Sequence, residues 1–365
     1  MGYGTYMAFR VVNAIVVLVI VAFIASYLFN TAMEKELIAS IQESVRAEVM
    51  QWVKENPGVT KEQIQAYYQL RLQEEYRRFG LDQPYVVRVF RRAISVIRFD
   101  LGRSKGAIKS FSTQSRDVAT ILLEALPNTI LLFTTGTVIT IIIGIYLGFR
   151  AARNVGSLFD RALSAVAMVT YSLPMWWTGM MMIYLFCYQL PHSFSIPPEW
   201  VLPHAGIVDT PVPREPLAYV ASVLRHMILP VSTLVLVSFG GYAYVTRSVV
   251  LGIMQQDFVM AARAKGLPER KVIYGHVLRT ASPSIVTMSI LSLLSSLGGA
   301  IITEAVFSWP GMGTLYWMSL WNGEVAVLLG LTYITTLLYL ISMVAADLIY
   351  GLLDPRVRVG IMAKG

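Results

Sequence analysis

Six uncharged, strongly apolar stretches leave this chain little choice of fold. A helix that crosses a bilayer needs about 20 mostly apolar residues. Runs of that order lie at residues 11–29, 125–149, 226–246, 280–303 and 325–346. A further uncharged run, 162–198, is too long for one span; Pro191 and Pro197 place its end near Gln189. Ordinary buried core helices do not reach such lengths. The expectation is an all-α membrane protein with six transmembrane helices.

Lysine and arginine set the orientation, because the short loops that stay cytosolic carry the excess. Arg10, three arginines at 150–161, six basic residues at 247–279 and three beyond Ala346 make thirteen on one side. Only Arg214 and Arg225 occupy the short loops opposite. Both chain ends and the 247–279 loop are therefore expected in the cytosol. Residues 30–124 hold fifteen more basic residues, but long loops cross largely regardless of charge. The net charge of +8 is thus an orientation signal plus a mixed-charge external segment, not a signature of nucleic-acid binding. No small-residue cleavage site stands out after the first run, where Ala22, Ala25 and Ser26 are weak candidates. It reads as a retained span. The single cysteine, Cys187, lies in the third run and excludes an internal disulfide. The expected organisation is 1–29, head and first span; 30–124, external insertion; 125–358, five-span core with the 247–279 loop; and 359–365, tail.

The insertion has helical periodicity. Leu37, Ile41, Val45, Val49 and Trp52 recur every three or four residues. Asn56-Pro57-Gly58 is a turn, and Thr60 with Gln63 is a capping box. Ile64, Tyr67, Tyr68 and Leu72 continue the pattern, with Gly80 as a stop. Pro84 suits the first turn of a third helix carrying Val87, Phe90, Ile94 and Ile97. Such a cap either packs on the spans or docks an external partner.

The 247–279 loop reads as a mechanical part. Asp257 can cap a short helix through Met260, Ala261, Ala262, Arg263 and Ala264, whose small side chains let another surface approach. After Lys265, Gly266 can take the left-handed turn that ends a helix, with Leu267 as its hydrophobic contact. Pro268 and Glu269 suit the start of a second helix. Helix, sharp turn, helix between two spans can pass force from a soluble domain to the membrane.

The same residues, "DFVMAARAKGLPERKVIYGHVLRTA", resemble the cytosolic loop of binding-protein-dependent ABC importer permeases, and most closely the dipeptide/oligopeptide branch. Met260 stands where many members have Glu; Ala261, Ala262 and Gly266 match. "FGLDQP" at Phe79, "DLG" at Asp100, "LPNT" at Leu126, "YSLPMWW" at Tyr171, "EAVFSWPGMG" at Glu304 and "LLDPRVR" at Leu352 follow in that branch's order. Residues 33–78 exceed the short members, so nothing carries over to them. The resemblance implies a type I (MetI-like) permease fold. It implies a homologous second permease subunit, two cytosolic ATPase subunits carrying ATP and Mg, and an extracellular solute-binding protein. The branch moves peptides, with relatives carrying oligosaccharides or nickel complexes. The chain has no G-x-x-x-x-G-K-[ST] phosphate loop, so it cannot be its own ATPase.

Other residues admit two readings. Pro174 interrupts the third run beside Tyr171, Ser172, Trp176 and Trp177: either a packing kink or the lining of a solute path. Glu304, at the outer end of the fifth run, is a structural hydrogen-bonding group or a contact for a solute amine. Asp347 is an interfacial acid or a proton relay. Gly144 and Gly148 form a helix-packing G-x-x-x-G. Four scattered histidines make no metal cluster, and no acid–base or nucleophilic constellation supports a membrane enzyme. A motor-independent channel would have no use for the 247–279 device.

Overall fold

The computed structural model describes residues 3–353. The described chain is helical, and five of its helices are long and apolar enough to cross a membrane. The first, α1 (Tyr3–Glu55), joins the first expected span to the external stripe without a break. The reason is local: between Gly4 and Pro57 there is neither glycine nor proline. Asn30, the first polar residue past the apolar run, donates to Glu34 Oε1 one turn on at 2.7 Å and stays helical. The expected boundary at residue 29 is therefore no break in the chain's path.

The helix α2 (Lys61–Arg78) starts at the Thr60–Gln63 capping box. It returns along α1, burying Ile41, Val45 and Val49 against Ile64, Tyr67, Tyr68 and Leu72. Trp52 stacks on Tyr67 with centroids 4.3 Å apart. The helix α3 (Tyr85–Ile97) begins one residue later than expected, with Pro84 as its N-cap. It also turns the other way: Val89, Ala93 and Val96 are buried, while the expected stripe leaves Val87, Phe90 and Ile97 exposed.

The second span is α4 (Val118–Arg153). The third is broken. Helix α5 (Leu158–Ser172) stops at Leu173, whose extended backbone (φ −78°, ψ 127°) is what a following proline demands. Helix α6 (Met175–Ile183) restarts at Pro174 and continues through a π-helical stretch, Tyr184–Gln189, into α7 (Leu190–Phe194). The helical path thus runs past Pro191 and ends at Ser195, in the left-handed region (φ 49°). The fourth span is α8 (Pro216–Met254).

Beyond α8 come two short helices, α9 (Asp257–Ala264) and α10 (Glu269–Lys271), and a π-helical stretch, Val272–Val277, that leads into α11 (Leu278–Ser296). The fifth span therefore occupies Glu269–Ser296, starting and ending earlier than the expected 280–303. Gly298 and Gly299 end it; Gly299 has φ +65°, and a Cβ there would lie 2.7 Å from Thr129 Cγ2. The short helices α12 (Ile301–Val306) and α13 (Met312–Trp321) precede the last span, α14 (Val325–Leu353). The tail 359–365 and most of "LLDPRVR" lie outside the described residues.

Two compact units result. One comprises α1 up to Ala14, Leu123–Trp317 and α14 from Leu338; the other comprises Ile15–Leu122 and Met318–Leu337. In the second, Glu324 is wholly buried and accepts from Ser104 Oγ (3.0 Å) and the amides of Lys105 (2.9 Å) and Ala107 (3.1 Å). A buried carboxylate so satisfied fixes the loop ahead of α4. Glu324 drew no attention from the sequence, because it sits in a short, unremarkable turn.

Candidate functional site

The helix-turn-helix of residues 256–271 is built by backbone rules. The N-cap of α9 is Gln256, not Asp257, which occupies the first helical position and favours the positive helix end by charge alone. At the other end Gly266 has φ +77°. Its N–H donates to Arg263 O (2.9 Å), and that of Leu267 to Ala262 O (3.4 Å). These two bonds are a Schellman stop, which needs a residue without a Cβ penalty at Gly266. Pro268 follows as the N-cap of α10. Arg263 and Glu269 close the turn with an ion pair at 2.7 Å.

The two faces of α9 differ. Val259 and Ala262 are buried in a cluster with Ile253, Val272, Val277 and Ala281, and Leu267 packs on the same cluster. Ala262 and Leu267 thus serve the chain's own core. Asp257, Met260, Ala261, Ala264, Lys265 and Gly266 are exposed. One helical turn separates an anchoring face from a free face on which the small Ala261, Ala264 and Gly266 stand among the longer Phe258, Met260, Arg263 and Lys265. Periodicity places Val259 and Ala262 together, but eight residues are too few to reveal which side is buried.

Behind this element lies a clamp that sequence reading missed. Asp160, in the first turn of α5, is 3% exposed. Arg247 Nη2 donates to its Oδ2 at 2.8 Å and Arg247 Nε to its Oδ1; the Gly156 amide donates at 2.9 Å. This pair ties the start of α5 to α8, three residues before Val250, the first buried residue that α8 gives to the cluster holding α9. In sequence Arg247 read only as one more positive charge. On the same unit Arg10 and Asp347 pair at 3.0 Å.

A cavity of about 470 Å³ opens in the unit containing Leu123–Trp317. Its wall is apolar and hydroxyl-bearing, with Thr137, Ser238, Tyr242, Ser292 and Ser295, and carries no charged side chain. Tyr242 and Ser289 hydroxyls meet at 2.6 Å. Of the expected path residues only Tyr171 reaches this wall. Ser172 and Pro174 form the break itself, and Trp176 and Trp177 are exposed beside it. Glu304 does not line the cavity. It is wholly buried, accepting from Thr129 Oγ1 (2.9 Å) and the amides of Gly313 (2.7 Å) and Thr314 (3.3 Å). Its carboxylate holds the 308–314 turn, the structural one of the two expected roles.

Glycines set the helix crossings around the cavity. A Cβ at Gly148 would lie 2.3 Å from Ala243 O, and one at Gly144 2.7 Å from Tyr242 Cδ1, so α4 meets α8 there. Gly240 does the same for α5: an added Cβ would lie 2.6 Å from Ala167 Cα.

A polytopic helical chain with a broken span, an uncharged cavity and an anchored helix-turn-helix with one free face has the parts of a membrane transport subunit. The chain belongs to the family of binding-protein-dependent transport system inner membrane components, whose model matches residues 141–359. It is 35% identical over 281 residues to a peptide transport system permease protein of Brucella abortus, covering 76% of this chain and 82% of that protein. It is 32% identical to the di/tripeptide transport system permease protein DppB of Pseudomonas aeruginosa (78% and 84% covered). It is 27% identical to the oligopeptide transport system permease protein AppB of Bacillus subtilis (77% and 83%). Among solved structures, a chain of an inward-facing MetNI methionine ABC transporter gives a TM-score of 0.48 at 16% identity, covering 64% of this chain and 96% of that one. By that family membership the chain is a multi-pass subunit of an ABC importer in the cytoplasmic membrane.

Proposed function

We propose that this chain pairs with a homologous permease to carry peptides into the cell, driven by two cytosolic ATPase subunits. Those subunits bind the ATP and Mg; this chain catalyses nothing. An extracellular binding protein delivers the solute, and both chain ends are cytosolic. The relatives' names support peptides as cargo. The uncharged, hydroxyl-lined cavity is the natural route for a solute of varied side chains, because neutral hydrogen-bonding groups do not select by charge.

The observation that carries the coupling role is the free face of α9. Ala261, Ala264 and Gly266 present little bulk on an element whose other side is locked into the core. A motor subunit can seat there closely and push on α8 and α11 through it. The test is reconstitution with the ATPases and binding protein in proteoliposomes. Ala261→Trp and Gly266→Val should insert normally, yet reduce peptide uptake about tenfold or more and leave ATP hydrolysis deaf to binding protein. Unchanged coupled uptake in both variants would reduce the loop to a connector.

A further inference from the structure

Two family-like motifs, "FGLDQP" and "DLG", play no part in coupling or passage. Phe79, Gly80 and Leu81 from the first and Gly102 from the second wall a cavity of about 500 Å³ in the unit that includes Ile15–Leu122. Four arginines line it, Arg88, Arg91, Arg92 and Arg103, against a single carboxylate, Glu34. That carboxylate is already engaged. Arg88 grips it with Nε to Oε1 at 2.6 Å and Nη2 to Oε2 at 2.8 Å, and Asn30 adds a third bond at 2.7 Å.

Among the described residues the other three guanidiniums form no ion pair with a carboxylate. Arg92 is half-buried, and its Nη2 donates to Met33 Sδ at 3.2 Å. Burial pushes its pKa down, and Asp100 offsets this only through space. Arg91 donates to Gln83 Oε1 at 2.7 Å, and Arg103 forms no ion pair among the described residues. The backbone makes room for them. Gly80 (φ +69°) and Gly102 (φ +82°) turn left-handed where a Cβ would lie 2.9 Å from Arg91 Nη1 and 3.4 Å from Arg92 Nη1. Three guanidiniums, Arg92 half-buried and Arg91 and Arg103 open to solvent, converge on one lining whose single carboxylate is already taken, an arrangement that an anion would complete.

We propose that the cavity binds the phosphate of an anionic lipid headgroup. The depth fits. Asn30 follows the last residue of the first apolar run, and the lining continues along α1 to Leu37, about 10 Å further at the helical rise. Headgroup layers are of that order, roughly 5–8 Å on each side of the hydrocarbon. The setting fits as well. Opposite its arginines, α3 exposes Val86 (75%) and Phe90 (53%). Phe90 lies 5.1 Å from Phe23, and Tyr85 lies 5.8 Å from Tyr27, both on the last turns of the apolar run. A helix so placed lies in the interface, apolar face toward the acyl chains and arginines among the phosphates. The guanidinium fork matches phosphate oxygens in pairs.

The test is native mass spectrometry of the full-length protein in detergent, titrated with phosphatidylglycerol, phosphatidylcholine or inorganic phosphate. One phosphatidylglycerol should be retained in preference to phosphatidylcholine. Arg91→Gln with Arg103→Gln, both on exposed residues and so compatible with folding, should weaken retention about tenfold or more. Arg71→Gln, whose partners are Glu48 and Glu74 on another surface, should not. As a second readout, phosphatidylglycerol should raise the melting temperature of the native protein and not of the double variant. Equal retention in native and double-variant protein would overturn the proposal. So would uptake of inorganic phosphate without lipid, which would make the site one for soluble anions.

Discussion

A tryptophan at Ala261 and one at Ala262 should differ in their effect on stability, although the two alanines are neighbours and both belong to the family motif. Ala262 is packed among Val259, Val272 and Val277, so a tryptophan there has no room. Overpacking a core costs about 1–3 kcal/mol, and a change this large lies at or beyond the top of that range. Ala262→Trp should therefore lower the melting temperature of the purified protein by several degrees, whereas Ala261→Trp should leave it unchanged. Differential scanning fluorimetry in detergent separates the two; equal melting temperatures would mean that α9 does not bury this face. At the Asp160–Arg247 clamp, Asp160→Ala leaves a half-buried guanidinium without its partner, a loss of about 3–5 kcal/mol. Removing both charges with Asp160→Ala and Arg247→Met should restore much of it, because the desolvation penalty goes with them. A double variant as unstable as the single one would show that hydrogen bonds to the backbone, not the ion pair, hold the site. Gly266 was legible in the sequence because only one conformation stops a helix that way. The inward turn of Ala262 and the clamp were not, since each depends on a contact that the local pattern does not encode.

At the scale of elements, the sequence announced where apolar helices lie better than where they stop. Pro174 broke its span as its chemistry requires, and Thr60 with Gln63 capped α2. The first apolar run ends at residue 29, but nothing in Asn30 or Thr31 forbids a helix, and α1 runs on. The third stripe pointed to the wrong part of α3 because the apolar residues cover a broad arc opposite the arginines, and a neighbour, not periodicity, decides which edge of that arc is covered. Helix α8 offers a test of contact against propensity. Alanine is favoured over glycine in a helix by about 1 kcal/mol. At Gly252 an added Cβ meets nothing within 4 Å, so Gly252→Ala should stabilise. At Gly240 it would lie 2.5 Å from Thr170 Oγ1 and 2.6 Å from Ala167 Cα. Separating two packed backbones costs more than the propensity gain, so Gly240→Ala should destabilise by about 1–3 kcal/mol. Thermal unfolding of the two variants should shift in opposite directions; a rise for both would mean that α5 and α8 cross less closely.

For the whole molecule, the decisive prediction concerns sidedness. Five long apolar helices, with the run broken at Pro174 counted as one further crossing, would put residues 60 and 264 on opposite faces, because one crossing separates residue 60 from the amino end and an even number separates residue 264 from it. The basic asymmetry then chooses between the two arrangements: thirteen lysines and arginines on the side of the α9 loop against two in the opposite short loops. The external segment cannot vote, since its length frees it from the rule. The native Cys187 is partly buried, so Cys187→Ser gives a clean background. In intact cells, Thr60→Cys in that background should react with a membrane-impermeant maleimide, and Ala264→Cys should react only after the cells are opened. Thr60 is suited to this, being exposed at the start of α2, far along the α1 helix from the membrane. The 26 residues of α1 from Asn30 to Glu55 would rise about 40 Å at the helical rise per residue, clear of any headgroup layer. Labelling of residue 264 from outside would invert the molecule, place the free face of α9 where no ATP-driven subunit can reach it, and remove the coupling role with it.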